Sequence, residues 1–198
     1  MDKNTAILII DVQNDFCQGG ILPAQNTASL ITPLNRLIFW ALKRNIVCIY
    51  ARDWHPYNHC SFLAYGGNWP PHCIQGSYGA KFTDGILVPH SSVIIDIEKE
   101  TEQSNVTYSA FENSDLKEVL QHLGIEHLVT TGIATEYCVK ATVLEGIDFG
   151  YTFTVLTDLV RPINVKPGDD TTAIEEMKAA GVEITDSVKW MHSCDKIS

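Results

Sequence analysis

The sequence predicts an α/β protein with three α/β/α layers, in which helices cover both faces of a central, mostly parallel sheet of six strands. Short apolar and β-branched runs alternate along the 198-residue chain with longer segments of helical periodicity. Several of these runs are apolar without interruption, which is typical of parallel strands covered on both faces. The carboxyl ends of parallel strands meet at one edge of a sheet, so ligands are expected to bind there.

The predicted strands lie at 6–10, 46–51, 92–97, 127–131, 151–156 and 182–184. The predicted helices lie at 27–44, 114–123, 138–145 and 171–180. The first helix carries Leu30, Leu34 and Leu37 along one side, and Ser114 and Gly124 are suited to begin and end the second. Neither a linker nor an internal repeat is visible, so one domain is expected over residues 1–198.

One long segment, at about 54–90, has neither helical nor strand periodicity. It is rich in Gly, Pro, His and aromatic residues. Loops of this length within a domain are usually functional or disordered, and the aromatic content argues against disorder. The segment is therefore expected to be an ordered functional loop.

The composition excludes several classes of partner. The formal net charge is −10, which argues against nucleic acid and anionic membranes, because both attract basic surfaces. No apolar stretch reaches 18 residues, so no membrane span is expected. The amino terminus lacks signal-peptide features, and the six cysteines form no C-x-x-C pair. A cytoplasmic protein with reduced thiols is expected.

Cys138 lies between the fourth predicted strand and the helix that follows it. A helix amino terminus stabilises a thiolate through its dipole and its free backbone N–H groups. The same N–H groups can hold a developing oxyanion. Cys138 is therefore a candidate nucleophile, and an ordinary buried cysteine is the alternative.

Asp11 and Lys99 also lie at the ends of predicted strands, as Cys138 does. A thiol needs a proton acceptor to become a nucleophile at neutral pH, and Asp11 could serve as one. Lys99 could hold that carboxylate in place and favour the thiolate by its charge. The alternative is a structural ion pair between Asp11 and Lys99 beside an inert thiol.

A second group of candidate residues is Asp53-Trp-His55 together with His72 of the long loop. Residues i and i+2 of an extended chain share a face, so the Asp53 and His55 side chains should lie on one side. A third imidazole would complete a set of two His and one carboxylate, which suits Zn, Fe or Mn. His59 is a further candidate ligand. The alternative is that these are solvated loop histidines.

Taken together, these motifs resemble those of the nicotinamidases (pyrazinamidases), within the isochorismatase-like cysteine hydrolases. The resemblance covers about residues 5 to 185. Its motifs are Asp11-Val-Gln-Asn-Asp-Phe16, Arg52-Asp-Trp-His-Pro56, Trp69-Pro-Pro-His-Cys-Ile-Gln-Gly76, Lys99 with Tyr108-Ser-Ala-Phe111, and Gly132-Ile-Ala-Thr-Glu-Tyr-Cys-Val139. Two positions differ from the family pattern: Glu100 follows the lysine where Gly is usual, and Glu136 stands where Asp is common.

The resemblance implies a role for each group of residues. The implied catalytic triad is Asp11, Lys99 and Cys138. The implied metal ligands are Asp53, His55 and His72, with His59 nearby, for one divalent ion that is expected to be Zn, with Fe or Mn as alternatives. A cis peptide is implied between Ile133 and Ala134, with the backbone N–H groups of Ala134 and Cys138 forming the oxyanion hole. The residues implied to line the substrate pocket are Phe16, Leu22, Trp69, Tyr108, Ala134 and Tyr137.

The reaction implied is the hydrolysis of nicotinamide to nicotinate and ammonia through a cysteine thioester. The expected partner is therefore a small molecule, with neither nucleic acid nor membrane, and homo-oligomerisation stays open. One alternative is another amidohydrolase of the group, of the ureidoacrylate or carbamoylsarcosine type. The other is a catalytically silent metal-binding homologue.

Overall fold

The computed structural model describes residues 4–98 and 108–196 of the chain. Its centre is a six-stranded sheet in the order β3-β2-β1-β4-β5-β6, and every pair of neighbouring strands is parallel. The strands are β1 (Thr5–Ile10), β2 (Val47–Trp54), β3 (Val93–Glu98), β4 (His127–Ile133), β5 (Thr152–Arg161) and β6 (Glu183–Thr185).

Helices cover both faces of the sheet in the described part of the chain. They are α1 (Ile31–Leu42), α2 (Leu116–Leu123), α3 (Lys140–Asp148), α4 (Asp169–Ala179) and α5 (Ser187–Asp195). Helices α1 and α5 contribute buried residues to one hydrophobic cluster, and α2, α3 and α4 contribute to another. The three-layer α/β/α fold predicted from the sequence is confirmed.

Strand β1 lies in the middle of the sheet and contributes side chains to both hydrophobic clusters. Ile7 and Ile9 belong to the cluster of α1 and α5, whereas Ala6, Leu8 and Ile10 belong to the other. All five side chains are fully buried. Successive side chains of a strand point to opposite faces, so an unbroken apolar run is what a strand covered on both faces requires.

Several element boundaries differ from the predictions. Helix α1 begins at Ile31, because residues 27–29 form a separate 3₁₀ turn, and strand β5 continues to Arg161. Helix α5 was not predicted: its buried residues are only Ser187, Trp190, Met191 and Cys194, so its apolar stripe is short. The side chain of Asp186 caps this helix by accepting a hydrogen bond from the N–H of Lys189 at 2.8 Å.

Gly132 is required where β4 approaches β1. Its φ is +117°, and a Cβ atom there would lie 2.0 Å from the carbonyl oxygen of Ile10. Only glycine combines this backbone conformation with so close an approach. The pairing of β4 with β5 shifts register at the same point, between Thr130 and Gly132.

Among the described residues, every helix is too short or too polar to span a lipid bilayer.

Candidate active site and metal centre

Asp11, Asp53 and Cys138 all lie at the carboxyl edge of the sheet. Asp11 directly follows β1 and is fully buried, Asp53 lies near the end of β2, and Cys138 lies in the turn after β4. The backbone N–H of Asp11 donates to the carbonyl of Ala51 at 2.9 Å. The hydrogen bonding between β1 and β2 therefore continues for one residue beyond the end of β1. Lys99 would follow β3 directly, but it lies outside the described residues.

The turn that carries Cys138 is a five-residue π-helical segment, Thr135–Val139, that runs directly into α3. The peptide bond between Ile133 and Ala134, just before it, is cis, as the resemblance implies. The carbonyl of Ala134 accepts hydrogen bonds from the N–H groups of Tyr137 and Val139, both at 3.1 Å. Cys138 is 7% exposed and lines a pocket, so a small molecule in that pocket can reach its thiol.

Asp53, His55 and His72 form a compact buried group whose potential ligand atoms all lie within 4.8 Å of one another. Oδ2 of Asp53 lies 4.0 Å from Nδ1 of His55 and 3.8 Å from Nε2 of His72. These separations are too long for hydrogen bonds. They suit atoms that surround one ion, because each bond to Zn²⁺ is about 2.0–2.2 Å long. Two imidazoles and one carboxylate fit Zn, Fe or Mn.

His72 is oriented for such a role. Its Nδ1 lies 2.7 Å from the carbonyl oxygen of Pro70. A carbonyl oxygen only accepts hydrogen bonds, so Nδ1 must carry the proton and donate. The lone pair is therefore on Nε2, which is the atom that faces Asp53.

His59 is buried beside the group of three, with its ring centroid 4.6 Å from that of His55. Its Nδ1 lies 2.7 Å from the hydroxyl of Ser61, and its Nε2 lies 3.8 Å from the sulfur of Cys60. The compact group itself consists of Asp53, His55 and His72. His59 thus lies in the layer of residues around that group, where it packs against His55.

Cys138 and the three clustered residues line one pocket. The other residues that line it are Phe16, Leu22, Ser61, Trp69, Tyr108, Ile133, Ala134, Tyr137 and Ile163. Three aromatic side chains form one wall: the Trp69 indole N–H donates to the Tyr108 hydroxyl at 3.1 Å, and the Tyr137 ring packs against both rings with centroids 5.4 and 5.2 Å apart. The pocket therefore brings together an aromatic wall, a possible metal-ligand set and a thiol.

Ile163 is a pocket residue that the sequence analysis missed. Its backbone N–H donates to Oε1 of Glu136 at 2.9 Å, and the N–H of Asn164 donates to the same oxygen at 2.5 Å. Glu136 lies two residues before Cys138 and is 7% exposed. The Glu136 side chain therefore attaches the segment after β5 to the turn that carries Cys138. Nothing in the local sequence around Ile163 signals this contact.

The six cysteines are free thiols in different surroundings. Burial raises the pKa of Cys17 and Cys48, the latter to about 12. Burial also raises the pKa of Cys73, and the nearby carboxylates of Asp53, Asp11 and Asp15 raise it further. These three thiols stay protonated at neutral pH, and none of them lines the pocket.

A larger open groove, about 820 Å³, lies between α4 and residues 25–29. It contains none of the predicted site residues and is lined by a mixture of charged, polar and apolar side chains. The smaller pocket is therefore the better candidate active site, since it is lined by both the Cys138 thiol and the clustered Asp and His residues.

Comparisons with known proteins agree with this geometry. The chain is 36% identical to a nicotinamidase of Escherichia coli (strain K12), over 93% of this chain and 96% of the relative. It superposes with a TM-score of 0.86 on a pyrazinamidase of Pyrococcus horikoshii that was solved in complex with zinc. The two sequences are 38% identical, and the match covers 92% of this chain and 99% of the other. For PnC1 of L. infantum in complex with nicotinate, the TM-score is 0.84 at 29% identity, with 95% and 96% covered.

The family model described as the Isochorismatase domain matches residues 5–188 of the sequence. That range includes the whole sheet, the turn that carries Cys138 and the clustered Asp and His residues. Because the match extends over nearly the entire chain and the fold agrees with it, the chain belongs to the isochorismatase family.

Proposed function

We propose that this chain is a nicotinamide amidohydrolase, which converts nicotinamide and water into nicotinate and ammonia. The observation that carries the proposal is that Asp53, His55 and His72 line the same pocket as Cys138. A pocket lined by both a possible metal site and a thiol suits a substrate with a ring nitrogen and a carboxamide.

The relatives support this choice of substrate. The similar proteins from Escherichia coli and Pyrococcus horikoshii are a nicotinamidase and a pyrazinamidase, the second with zinc. The similar protein from L. infantum was solved with nicotinate, the product of the proposed reaction. Pyrazinamide is expected to be a second substrate, because it differs from nicotinamide by one ring atom and needs the same pocket.

Asp53, His55 and His72 would hold one divalent ion, with Zn²⁺ the first choice, and an ion bound there would supply a Lewis-acidic partner for the ring nitrogen. His59 would support His55 from the surrounding layer. Phe16, Leu22, Trp69, Tyr108 and Tyr137 would enclose the ring and exclude water.

The chemistry would be carried by Cys138, Asp11 and Lys99. Asp11 takes the thiol proton of Cys138, whose sulfur then attacks the carboxamide carbon, and the N–H groups of Ala134 and Cys138 stabilise the oxyanion. The same proton passes to the amide nitrogen, the C–N bond breaks, and ammonia leaves a thioester on Cys138. Water gives a proton to Asp11 and attacks the thioester, so that nicotinate leaves and the thiol is restored. Lys99 would hold the Asp11 carboxylate in place.

The test is ammonia release from nicotinamide by purified protein, with nicotinate identified by chromatography and bound metal measured in the same sample. Ureidoacrylate and N-carbamoylsarcosine are the comparison substrates, and Cys138→Ala is the control for contaminating amidase. The proposal expects a kcat/KM for nicotinamide at least about 100-fold above that for either comparison substrate. Faster turnover of ureidoacrylate or N-carbamoylsarcosine would move the chain to that activity, and no ammonia from any of the three would indicate a silent homologue.

A further inference from the structure

Gln13 makes three hydrogen bonds from a fully buried side chain, and two of them go to the backbone of Asp53. Its Nε2 donates to the carbonyl oxygen of Asp53 at 2.8 Å and to that of Ala80 at 2.9 Å. Its Oε1 accepts from the N–H of Asp53 at 2.9 Å. One amide group therefore satisfies both backbone groups of a clustered acidic residue.

The sheet explains why Asp53 needs such a partner. Strand β1 ends at Ile10, which pairs with Ala51, so Asp53 extends two residues beyond the last β1 partner. In a parallel sheet, residues i and i+2 direct their backbone groups to the same neighbour, and the carbonyl of Ala51 already accepts from Asp11. The side chain of Gln13 thus takes the place of the missing strand and keeps Asp53 in an extended conformation.

Asp15 acts in the same way on the chain next to His72. Its Oδ2 accepts a hydrogen bond from the backbone N–H of Cys73 at 2.8 Å. Cys73 has a φ of +47°, a left-handed conformation that a residue with a side chain adopts only where its surroundings hold it. The carboxylate lies so close to Gly79 that a Cβ atom there would be 2.0 Å from Oδ2, so the fit depends on a glycine.

These two contacts come from one short segment that begins at the proposed proton acceptor. Asp11 directly follows β1, and the N–H of Gln13 donates to the carbonyl of Asp11 at 2.8 Å. The segment 11–15 therefore contains Asp11, the proposed proton acceptor. It also binds the backbone of Asp53 through Gln13 and the backbone of Cys73, next to His72, through Asp15. A displacement of this segment would move the metal ligands relative to the pocket.

We propose that Gln13 and Asp15 are positioning residues for the metal site, acting through the backbones of Asp53 and Cys73. This inference rests on the proposed function, since it takes Asp53 and His72 as metal ligands. Neither side chain lines the pocket, so neither is expected to touch the substrate. Residues that orient ligands in this way typically contribute about 10–100-fold to metal affinity.

The test compares Gln13→Met with Asn14→Ala. Methionine fills nearly the volume of glutamine but makes none of its three hydrogen bonds. Asn14 is the control from the same segment. Its amide also bridges to residues 78–84, donating to the Tyr78 carbonyl at 2.9 Å and accepting from the Asp84 N–H at 3.3 Å, and these two hydrogen bonds involve neither Asp53 nor Cys73. Zn²⁺ affinity is measured on metal-depleted protein by competition with a chromophoric chelator, alongside KM and kcat for nicotinamide.

The expected result is a loss of Zn²⁺ affinity of about 10–100-fold in Gln13→Met and less than about threefold in Asn14→Ala. At saturating Zn²⁺, KM should rise more than kcat falls, and Cys138 should react with iodoacetamide at about the wild-type rate. Equal affinity losses in both variants would show a merely structural role, and no loss in Gln13→Met would refute positioning through Asp53.

Asp15 provides the second pair of variants, which carries the test if Gln13→Met does not fold. Asp15→Asn keeps a side-chain oxygen for the N–H of Cys73, whereas Asp15→Ala removes it. We expect Asp15→Asn to retain most of the Zn²⁺ affinity that Asp15→Ala loses, and equal affinities in the two variants would overturn the inference. A wild-type protein that binds no Zn²⁺ or releases no ammonia from nicotinamide would instead refute the proposed function.

Discussion

Oε1 of Glu136 lies 2.9 Å from the backbone nitrogen of Ile163, so a residue of the turn that carries Cys138 holds one wall of the pocket. The same oxygen accepts from Asn164, whose φ is +54°. Oε2 is buried and has no hydrogen-bond partner among the described residues. The position of the wall thus depends on one oxygen atom.

Removing this oxygen should loosen the pocket more than it slows the chemistry. Glu136→Ala deletes two hydrogen bonds to a buried carboxyl oxygen, so we expect the free energy of unfolding to fall by about 1–3 kcal/mol. KM for nicotinamide should rise more than kcat falls, because Ile163 lines the pocket and has no assigned part in the chemistry. Glu136→Gln keeps an oxygen at the same position and is the matched control. A Glu136→Gln variant as impaired as Glu136→Ala would show that the charge matters more than the hydrogen bonds.

A second prediction concerns the metal ligands. His72→Ala should lower bound metal and raise KM for nicotinamide, because the ring nitrogen loses its anchor. Cys138 should still react with a small alkylating agent at about the wild-type rate, since thiol ionisation does not require the ion. Chelation of the wild type should reproduce the pattern, and Zn, Fe or Mn should reverse it.

The exposed His90 gives the control for that experiment. His90→Ala should keep both metal content and KM, because this residue lies outside the cluster and the pocket. A fully active metal-free protein would contradict the metal assignment and place the chain with metal-independent members of the family.

A third prediction tests whether Asp11, Lys99 and Cys138 act as one unit. Cys138→Ala should abolish turnover while leaving the fold and nicotinamide binding intact. Asp11→Asn and Lys99→Ala should each lower kcat by about 10³-fold or more, and neither should add much to Cys138→Ala. The measurement is kcat for the single and combined variants. Independent, additive losses would mean that Asp11 and Lys99 form a structural pair.

The fourth prediction concerns the intermediate. Rapid acid quench during turnover of nicotinamide, followed by peptide mass spectrometry, should find a nicotinoyl group on the peptide that contains Cys138. Cys60 is the internal control, because it is partly exposed in the loop beside the pocket. A nicotinoyl group on Cys60 with none on Cys138 would overturn the mechanism.

The sheet could be predicted well because local runs of apolar residues mark its strands. The five buried side chains of β1 form one uninterrupted apolar run, and such a run has few alternatives to a central strand. The end of β5 was missed, because Thr157 and Asp158 break its apolar pattern. There the Asp158 carboxylate accepts hydrogen bonds from the N–H and the hydroxyl of Ser187, so a tertiary contact holds the polar end of the strand.

Motif spacing was enough to predict which residues cluster in the candidate site. It could not predict the contacts between distant residues that hold those residues in place. Asp53 and His55 are two residues apart, and the structure brings His72 to them. The contacts of Glu136 with Ile163 and of Gln13 with Asp53 join residues 27 and 40 positions apart. No local periodicity records such pairs, so the wall of the pocket and the support of Asp53 emerge only from the folded chain.

The last prediction concerns stability at alkaline pH. Cys48 lies in β2 and is 3% exposed, and burial raises its pKa to about 12 from an ordinary value of 9.0. The unfolded chain therefore releases the Cys48 proton above pH 9, while the folded chain keeps it until about pH 12. The folded state then binds more protons than the unfolded state, so stability falls as pH rises between these values.

The size of the effect follows from the pKa shift. One such group lowers the free energy of unfolding by about 1.4 kcal/mol per pH unit above pH 9, which amounts to about 2 kcal/mol by pH 10.5. Urea unfolding of wild type and Cys48→Ala at pH 8.0 and 10.5, with reductant present, measures it. Cys48→Ala should be less stable than wild type at pH 8.0, because it leaves a cavity, but should lose about 2 kcal/mol less than wild type on going to pH 10.5.

Ile49→Val provides the control for the cavity, since Ile49 is the next residue of β2, is fully buried and carries no titratable group. Its stability should be lower than that of wild type by a similar amount at both pH values, about 0.5–1.5 kcal/mol. Cys17 and Cys73, whose pKa values burial also raises, contribute alkaline destabilisation to all three proteins and cancel in the comparison. If wild type, Cys48→Ala and Ile49→Val lose equal stability between pH 8.0 and 10.5, then Cys48 ionises as readily in the folded protein as in the unfolded chain.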